Sequence, residues 1–360
     1  MDEWIGTSEA AARLGVKRGT LYSYVSRGVL ESRRISGKAE SQFNRTQIDS
    51  LAAGKADGRR AGDRLLKFRA VTSSVSVIRD NRLFLRGRDL EQLCAELGFD
   101  GAARLVLDAD VLDATTVPSP MPEVNWDIVA GLPIERRIPL AVALMAAADP
   151  LRADLSDLAG RTLSLLPKLA AAVPEIDFTH PWIDVLATVL IDNGLAASTT
   201  AVRVAASARA GLLDVLLAGY AALSGPLHGG VTVSARGLLD AVLSGVDVDR
   251  ALADAVVAGG VPGFGHVIYT GSDPRARIVV DRVIADRPES SAVAAARAIE
   301  ERVGRPMNID LAGAIVTSEI GLPPRSAEVV FQYGRTVGMV AHAAEEYQEA
   351  PLRWRGSRTS

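Results

Sequence analysis

The chain has 360 residues, of which 48% are hydrophobic and 23% are charged. This composition excludes wholesale disorder, and the length predicts two or more domains. No uncharged apolar run reaches the roughly 18 residues of a membrane-spanning helix, and the acidic start lacks the basic segment of a secretory signal. We therefore expect a cytoplasmic protein without a membrane partner. Because Cys94 is the one cysteine, neither an internal disulfide nor a thiolate zinc site can form.

Residues 1–55 are predicted to form a small basic domain. Residues 1–60 contain 11 Lys and Arg against 7 Asp and Glu, in a chain whose net charge is −3. Thr7 can cap a helix that runs to Gly15, and a second short helix follows a Gly-containing turn. The segment at residues 30–51 predicts two short strands and then another helix.

This order of elements resembles the winged helix-turn-helix of MerR and excisionase-type proteins. The sequence EAAARLGV, followed by TLYSYVSRGVL, carries the resemblance. It implies that basic and aromatic side chains on the second helix and the wing contact duplex DNA. The candidate DNA-binding residues are Lys17, Arg18, Tyr22, Arg27, Arg33, Arg34 and Lys38. A small basic domain that mediates protein contacts or dimerisation is the alternative.

Residues 56–71 are polar and predict a linker, so residues 72–360 form the remainder of the protein. Its first element is a predicted β-hairpin, because apolar positions alternate on both sides of Asp80-Asn81. From about residue 89 onward, helical periods rich in Ala, Leu and Val dominate. The predicted fold class is therefore mainly α.

Three residues at Gly/Pro-marked boundaries between helices are suited to acid–base chemistry. They are His228 in GPLHGG, His266 in VPGFGH and Asp310 in NIDLAG. A neutral imidazole near a helix N-terminus can polarise a carbonyl, and a carboxylate nearby can then remove a proton from carbon. Such a set suits chemistry through the enol of a thioester. Each residue could instead be a structural residue whose hydrogen bonds are satisfied within the protein.

Four ordered segments of the chain resemble the citrate synthase family. They are GPLHGG, GFGH with DPRAR, NIDLAGAIVTSEIGLP and GRTVGMVAHAAE, and the resemblance covers about residues 72–358. It implies a citrate synthase-like, almost wholly helical homodimer, in which a large domain and an inserted small domain at about residues 180–310 close on the substrate. The implied reaction joins acetyl-CoA to oxaloacetate and hydrolyses the resulting citryl-CoA. No metal or redox cofactor is implied, because the thioester itself activates the carbon acid.

The same resemblance implies roles for individual residues of this chain. His228 hydrogen-bonds the thioester oxygen, Asp310 removes the methyl proton, and His266 polarises the ketone of the 2-oxo acid. The implied CoA-binding residues are Val261, Pro262, Gly263, Phe264 and Gly265, whose backbone approaches the adenine ring.

Arginines are implied to hold the substrate carboxylates, because a guanidinium matches a carboxylate at two points. Arg275 and Arg335 belong to the same subunit as the catalytic residues. Arg353 corresponds to an arginine that the family supplies from the neighbouring subunit, although Arg355 competes for that alignment and Trp354 stands where a proline is usual.

Asn193 is the main departure from the family pattern. It occupies the place of a further substrate-binding histidine, where it can donate a hydrogen bond but cannot carry charge. Catalysis on oxaloacetate or a relative is the first hypothesis. The second is a DNA-binding regulator whose citrate synthase-like body senses a CoA thioester or a dicarboxylate. His342 and the Glu345–Glu346 pair are expected on helix faces without a role, the two glutamates in solvent.

Overall fold

The structure is a computed structural model that describes residues 4–14, 16, 21, 25, 30, 32–34, 41–49, 71–109 and 121–354. The chain divides into two compact units, residues 1–72 and 73–360. The predicted division of the second unit into a large and an inserted small domain stays a prediction.

The first unit contains a three-stranded antiparallel sheet and a helix. Its elements are β1 (Trp4–Gly6), α1 (Thr7–Leu14), β2 (Ser32–Arg34) and β3 (Ser41–Asn44), with the sheet order β1-β3-β2. The two strands predicted for the wing are present as β2 and β3, and the residues that follow, 45–49, are helical. The resemblance to a winged helix-turn-helix stays a prediction, because much of its second helix lies outside the described residues.

The first unit has a hydrophobic core of its own. Ala10 and Leu14 of α1 lie four residues apart on one face and are buried with Leu21, Phe43 and Ile48. The Thr7 hydroxyl donates to the backbone carbonyl of Ser41 at 3.0 Å, which ties the start of α1 to β3. The predicted cap of α1 by Thr7 stays a prediction.

The second unit is mainly helical, as predicted. Its elements are β4 (Ser76–Arg79), β5 (Arg82–Leu85), β6 (Arg88–Asp89), α2 (Leu90–Glu96), α3 (Gly98–Val106), α4 (Trp126–Ala130), α5 (Ile134–Ala148), α6 (Leu158–Ala171), α7 (Pro181–Val189), α8 (Ala197–Ser207), α9 (Leu212–Leu223), α10 (Val231–Leu243), α11 (Val248–Val257), α12 (Pro274–Asp286), α13 (Ser291–Val303), α14 (Ile309–Glu319) and α15 (Ser326–Tyr347). Within the described ranges, no helix is both long and apolar enough to cross a bilayer.

The predicted β-hairpin is confirmed. Strands β4 and β5 pair in antiparallel register around Asp80 and Asn81, whose φ angles are +50° and +58°. Two consecutive left-handed residues are typical of the type I′ turn that joins tight hairpins. The Asn81 side chain also holds a distant loop, because it accepts from the Thr270 N–H at 3.0 Å and donates to the Ser272 carbonyl at 2.9 Å.

Helix α15 lies at the centre of the second unit. Every residue from Ser326 to Ala343 is buried, including several polar ones. Gly334 and Gly338 allow its close approach to the end of α7, since an added Cβ would lie 2.5 Å and 2.1 Å from the carbonyl oxygens of Ala187 and Ile191. A polar residue on a helix that is buried all round needs an internal partner. The partners of Arg335 and His342 are described below.

Candidate active site

The two glycines after His228 are needed to fold a tight turn between α9 and α10. The Gly229 N–H donates to the Leu223 carbonyl at 2.8 Å, and the His228 N–H donates to the Gly225 carbonyl at 2.9 Å. A Cβ at Gly229 would lie 2.7 Å from that Leu223 oxygen. At Gly230 it would lie 3.0 Å from the Gly225 oxygen. The turn thereby places the His228 ring at the start of α10, half-buried.

Two further helix starts are tied together by Asp273. It caps α12, and its carboxylate binds the Arg275 guanidinium through Nε–Oδ1 at 3.0 Å and Nη2–Oδ2 at 2.8 Å. It also accepts the Ile309 N–H at 3.2 Å, at the start of α14. The first turns of α12 and α14 are therefore adjacent, and the buried charge of Arg275 acts on Asp310.

Both predicted histidines are neutral at physiological pH. Burial, together with the positive charges of Arg335 and Arg275, lowers the pKa of His228 to about 4. Burial and Arg275 lower the pKa of His266 to about 4, although Asp273 opposes the shift. The charge of Arg275 thus acts on His228, His266 and Asp310 alike.

The tautomer of each neutral imidazole follows from its partner. The Ser198 hydroxyl lies 2.9 Å from Nε2 of His228, and where this hydroxyl donates, the imidazole proton is on Nδ1. In His266, Nδ1 accepts the backbone N–H of Ile268 at 3.1 Å, so the proton is on Nε2. Each ring therefore has one N–H that is not used by these contacts.

Asp310 differs in protonation from its neighbour Asp273. Burial raises the pKa of Asp310 to about 7, with Arg275 opposing the shift and Asp273 adding to it. Burial also acts on Asp273, but the charge and hydrogen bonds of Arg275 outweigh it and hold the pKa of Asp273 below its ordinary value. One carboxyl is thus a fixed counter-ion and the other can exchange a proton near neutral pH.

Arg335 is a buried guanidinium with spare hydrogen-bonding capacity. Its Nε donates to the Leu190 carbonyl at 2.9 Å, and Nη1 lies 3.6 Å from Oδ1 of Asp192. That Nη1 atom is buried and has no hydrogen-bond partner. Burial, opposed by Asp192 and assisted by the like charge of Arg275, lowers the pKa of Arg335 to about 10. An anion between the two arginines would satisfy this demand.

Asn193 is buried, with 7% of its surface exposed. Its Oδ1 accepts the hydroxyl of Tyr269 at 2.5 Å. The guanidinium carbon of Arg275 lies 5.4 Å from the centroid of the Tyr269 ring, and the His266 ring is 4.8 Å from it. Tyr269 therefore contacts three predicted site residues, although the sequence analysis gave it no role.

The glycines of the segment Val261–Gly265 are needed for its packing within the protein, independently of any ligand. Gly263 and Gly265 have φ angles of +88° and +70°. The Gly263 carbonyl accepts the Asn308 N–H at 2.9 Å, and the Gly265 carbonyl accepts Nδ2 of Asn308 at 3.0 Å. A Cβ on Gly263 would lie 2.9 Å from that of Leu311. These contacts fix the loop against α14, whereas its binding of CoA stays a prediction.

The expectation for His342 and the glutamates of α15 was wrong. His342 is fully buried: its Nδ1 accepts Nε of Arg203 at 3.1 Å, and its Nε2 donates to Asp192 at 3.1 Å. Glu346 is also fully buried and pairs with Arg203 at 3.2 Å, while Glu345 is half-buried and bonds the same arginine. Both glutamates therefore bond Arg203, a buried arginine of α8, whereas solvent was expected around them.

Arg353 is held by its own chain. It binds Glu346 through Nη2–Oε2 at 2.5 Å and Nε–Oε1 at 2.6 Å, and the Trp354 indole donates to Oε1 of the same carboxylate at 2.9 Å. The competing candidate, Arg355, lies outside the described residues. Contact of Arg353 with a substrate in a neighbouring subunit stays a prediction.

The candidate DNA-binding residues are only partly described. Arg33 is exposed on β2, where its guanidinium carbon lies 4.5 Å from the centroid of the Trp4 ring and its Nε donates to Gln42 at 3.1 Å. Arg34 is on the same strand. The others lie outside the described residues: Lys17, Arg18, Tyr22, Arg27 and Lys38. In the part of the chain that is described, no group of three His, Cys, Asp or Glu side chains is placed to hold a metal ion.

Comparison with known families gives the decisive observation. The sequence model of the family "Citrate synthase, C-terminal domain" matches residues 134–355, which is more than half of the chain. The chain belongs to the citrate synthase family.

Individual citrate synthases are distant relatives of this chain. It is 32% identical over 184 residues to citrate synthase 1 of Mycobacterium tuberculosis, covering 46% of this chain and 43% of the relative. It is 32% identical over 189 residues to the citrate synthase of Thermoplasma acidophilum, covering 48% and 49% of the two chains. The matched segments therefore span less than half of each relative.

Solved citrate synthase structures share the fold over a larger part of the chain. The Thermoplasma acidophilum citrate synthase, in a ternary complex with carboxymethyl coenzyme A and oxaloacetate, has a TM-score of 0.70 and 22% identity, covering 83% of this chain and 95% of that one. The Thermotoga maritima enzyme has a TM-score of 0.66 and 20% identity, covering 81% and 94%. The mainly helical, citrate synthase-like fold is thus shown.

Proposed function

We propose that this chain condenses a short acyl-CoA, such as acetyl-CoA, with oxaloacetate or a related 2-oxo acid and releases CoA. The observation that carries the proposal is that the charge of Arg275 acts on Asp310, whose pKa is about 7, and on His228 and His266, whose pKa values are both about 4. A carboxyl near neutrality and two neutral imidazoles are the groups that enolisation of a thioester requires. Family membership supports the same chemistry.

The first chemical step forms the enolate of the acyl group. Ionised Asp310 removes a proton from the carbon next to the thioester carbonyl, and the electrons of the C–H bond move onto the thioester oxygen. The Nδ1–H of His228 then donates to that oxygen, since Ser198 occupies the other ring nitrogen. A neutral donor stabilises the enolate without requiring a strong acid in the pocket.

The second step forms the carbon–carbon bond. The enolate carbon attacks the ketone carbon of the 2-oxo acid, and the electrons of the C=O bond move onto the ketone oxygen, which Nε2–H of His266 stabilises by a hydrogen bond. That oxygen takes up one proton, which balances the proton that Asp310 removed and later releases. Hydrolysis of the new thioester by water releases CoA. Arg275 and Arg335 hold the carboxylates. Nη1 of Arg335 is buried without a hydrogen-bond partner among the described residues, and the Arg275 side chain bonds Asp273 through Nε and Nη2.

The proposal is tested by measuring thiol release from acetyl-CoA and propionyl-CoA with oxaloacetate and other 2-oxo acids. Replacement Asp310→Asn is expected to lower the rate at least 100-fold, because the base is removed. Asp127→Asn is the matched control, since Asp127 also lies in the first turn of a helix but is exposed. Absence of thiol release with every 2-oxo acid tested would contradict the proposal.

The family resemblance also predicts a homodimer. Sedimentation of the unaltered chain and of the Asp310→Asn chain is expected to give the same dimer mass, because Asp310 lies in the interior of the candidate site. A monomer at micromolar concentration would contradict this part of the proposal.

A DNA-binding regulator remains a second candidate function, with the body acting as a sensor of a CoA thioester or dicarboxylate. Exposed Arg33 on β2, in a basic segment with a separate core, favours it. Binding to duplex DNA is expected to weaken steeply with salt and to fall several-fold on Arg33→Ala. Arg250→Ala, which removes an exposed arginine of the second unit, is the control. Equal DNA binding by both variants would count against this function.

A further inference from the structure

Tyr269 is a buried residue of the candidate site to which the proposed chemistry gives no role. It is 4% exposed, and its hydroxyl reaches Asn193, which is 76 positions away in the chain. The loop that carries it is fixed on its C-terminal side, because Asn81 bonds the backbone of Thr270 and Ser272. The position of the phenol is therefore set by the β4–β5 hairpin as well as by its own burial.

The hydrogen bond from Tyr269 decides which way the Asn193 amide points. A phenol O–H that donates to Oδ1 turns the amide so that Nδ2 lies on the other side of the side chain. Burial raises the pKa of Tyr269 to about 12, so the hydroxyl keeps its proton at any working pH. Among the described residues, no acceptor bonds Nδ2. This N–H₂ group is therefore available to a bound acceptor.

The groups that face this pair have constant charge near neutral pH. They are His266, Arg275, Arg335, Asp192 and Asp273. The histidine is neutral above its pKa of about 4, the two carboxylates have lowered pKa values, and both arginines stay charged. Asp310 has a pKa of about 7, so the test uses a chain in which this carboxyl is replaced.

We propose that Tyr269 is a positioning residue that holds the Asn193 amide toward the 2-oxo acid, and that this pair makes the contact independent of pH. The inference rests on the proposed function. An imidazole at position 193 would lose its charge as pH rises through the range where histidines titrate, and with it part of its attraction for a carboxylate. An amide donor has no such loss, so the exchange of histidine for asparagine sets the pH range over which the acid is bound.

Oxaloacetate binding by calorimetry tests the positioning role without turnover. In the Asp310→Asn chain, which removes the titrating base, Tyr269→Phe is expected to weaken binding about 5- to 10-fold, as for one oriented hydrogen bond. Asn193→Ala is expected to weaken it similarly, and the double variant no further. Tyr347→Phe, which removes another buried hydroxyl with a single partner, is the control and leaves binding unchanged. Equal binding by the Tyr269→Phe chain, or additive losses in the double variant, would overturn the inference.

The pH dependence is tested with Asn193→His in the same background. Binding by the asparagine chain is expected to stay constant within twofold between pH 6 and 8, whereas the histidine chain weakens about 10-fold over that range. An equal slope in both chains would overturn the inference.

Binding and turnover separate the two proposals. If the chain with Asp310 intact binds oxaloacetate and loses affinity on Tyr269→Phe but releases no thiol, the proposed function fails and the positioning role stands. If the chain with Asp310 intact releases thiol but Tyr269→Phe leaves the KM for oxaloacetate unchanged, the proposed function stands and the positioning role fails. Failure of the unaltered chain to bind oxaloacetate overturns the inference.

Discussion

At the scale of single residues, Asp273 and Asp310 show how one pocket gives two carboxyls different tasks. Asp273 makes two bonds to Arg275 and accepts two backbone N–H groups, so its charge is fully matched. Asp310 senses the same arginine without bonding it, and burial dominates its pKa. The difference follows from geometry, because a paired carboxylate cannot serve as a base while it neutralises its partner.

The rate of thiol release is expected to rise with pH through about 7. Asp310 accepts a proton only when ionised, so below its pKa the rate should fall about 10-fold per pH unit. His228 and His266, with pKa values of about 4, stay neutral throughout pH 5 to 9, so their titration does not change the rate in that range. Steady-state kcat between pH 5 and 9 provides the measurement. A profile that is flat across pH 7 would contradict the assignment of the base.

Because its pKa is raised, Asp310 lowers the free energy of unfolding as the pH rises above about 4. The folded state holds the proton up to about pH 7, whereas the unfolded chain releases it near 3.8, so the penalty is absent below about pH 4, grows to pH 7 and is then constant. Asp310→Asn is therefore expected to gain about 4 kcal/mol in unfolding free energy at pH 8 relative to pH 4, because the pKa rises from 3.8 in the unfolded chain to about 7 in the folded one. Urea unfolding at both pH values measures it, with Asp127→Asn showing no such gain. An unchanged difference between pH 4 and 8 would argue against a buried carboxyl.

The candidate residues of this site could be picked out from the sequence, whereas their contacts could not. His228, His266 and Asp310 stand in glycine- and proline-marked segments that are readable locally. Tyr269 was missed because its partner is 76 residues away and no periodic pattern joins them. Glu346 was misjudged because the local run HAAEE is typical of a solvated helix end, while its partners are Arg203 of α8 and Arg353, which follows α15.

At the scale of elements, the contact between α7 and α15 positions Arg335. The Leu190 carbonyl and Asp192, which follow α7, are its protein partners, and Gly338 brings α15 close enough for those contacts. A methyl group at Gly338 would lie 2.1 Å from the Ile191 carbonyl oxygen, so backbone must move to accommodate it. The guanidinium would then lose its fixed place.

Gly338→Ala is accordingly expected to lower the free energy of unfolding by about 2–3 kcal/mol and to weaken oxaloacetate binding. Gly237→Ala in α10 is the matched control. It is also a helical glycine, but its added Cβ meets nothing within 4 Å, and it should gain up to about 1 kcal/mol from helix propensity. Chemical unfolding and calorimetry give both readouts. Equal stability of the two variants would mean that the close approach of α7 and α15 is not needed.

Element types were predictable where a local signal exists, and element partners were not. The hairpin at Asp80-Asn81 and the start of α1 were evident from alternation and from helix-start residues. The reason for Gly263 lies in packing against Leu311, a contact that sequence alone cannot show, and the attachment of Asn81 to the loop at Thr270 is equally hidden. Tertiary contacts of this kind decide where the predicted site residues finally lie.

At the scale of the whole molecule, the described residues form two hydrophobic cores that share no member. The second core is the larger and contains the helices that carry the candidate site. Its first segment is attached to that site, since Ser74 donates to Glu345 through its backbone and hydroxyl, and Ser76 bonds Asp192 and accepts the Gly194 N–H at 2.9 Å. The functional boundary therefore lies before Ser73.

A chain of residues 71–360 is thus expected to fold by itself, to unfold in one cooperative transition, and to release thiol at a rate within twofold of the full chain. A chain of residues 77–360, which lacks Ser74 and Ser76, leaves Glu345 and Asp192 without those donors and should be less stable by about 2 kcal/mol or more. Scanning calorimetry and the thiol assay on both chains measure this. Failure of the 71–360 chain to fold would contradict this prediction. If the 71–360 chain folds and releases thiol normally but no longer binds DNA, the N-terminal unit is the part that binds nucleic acid.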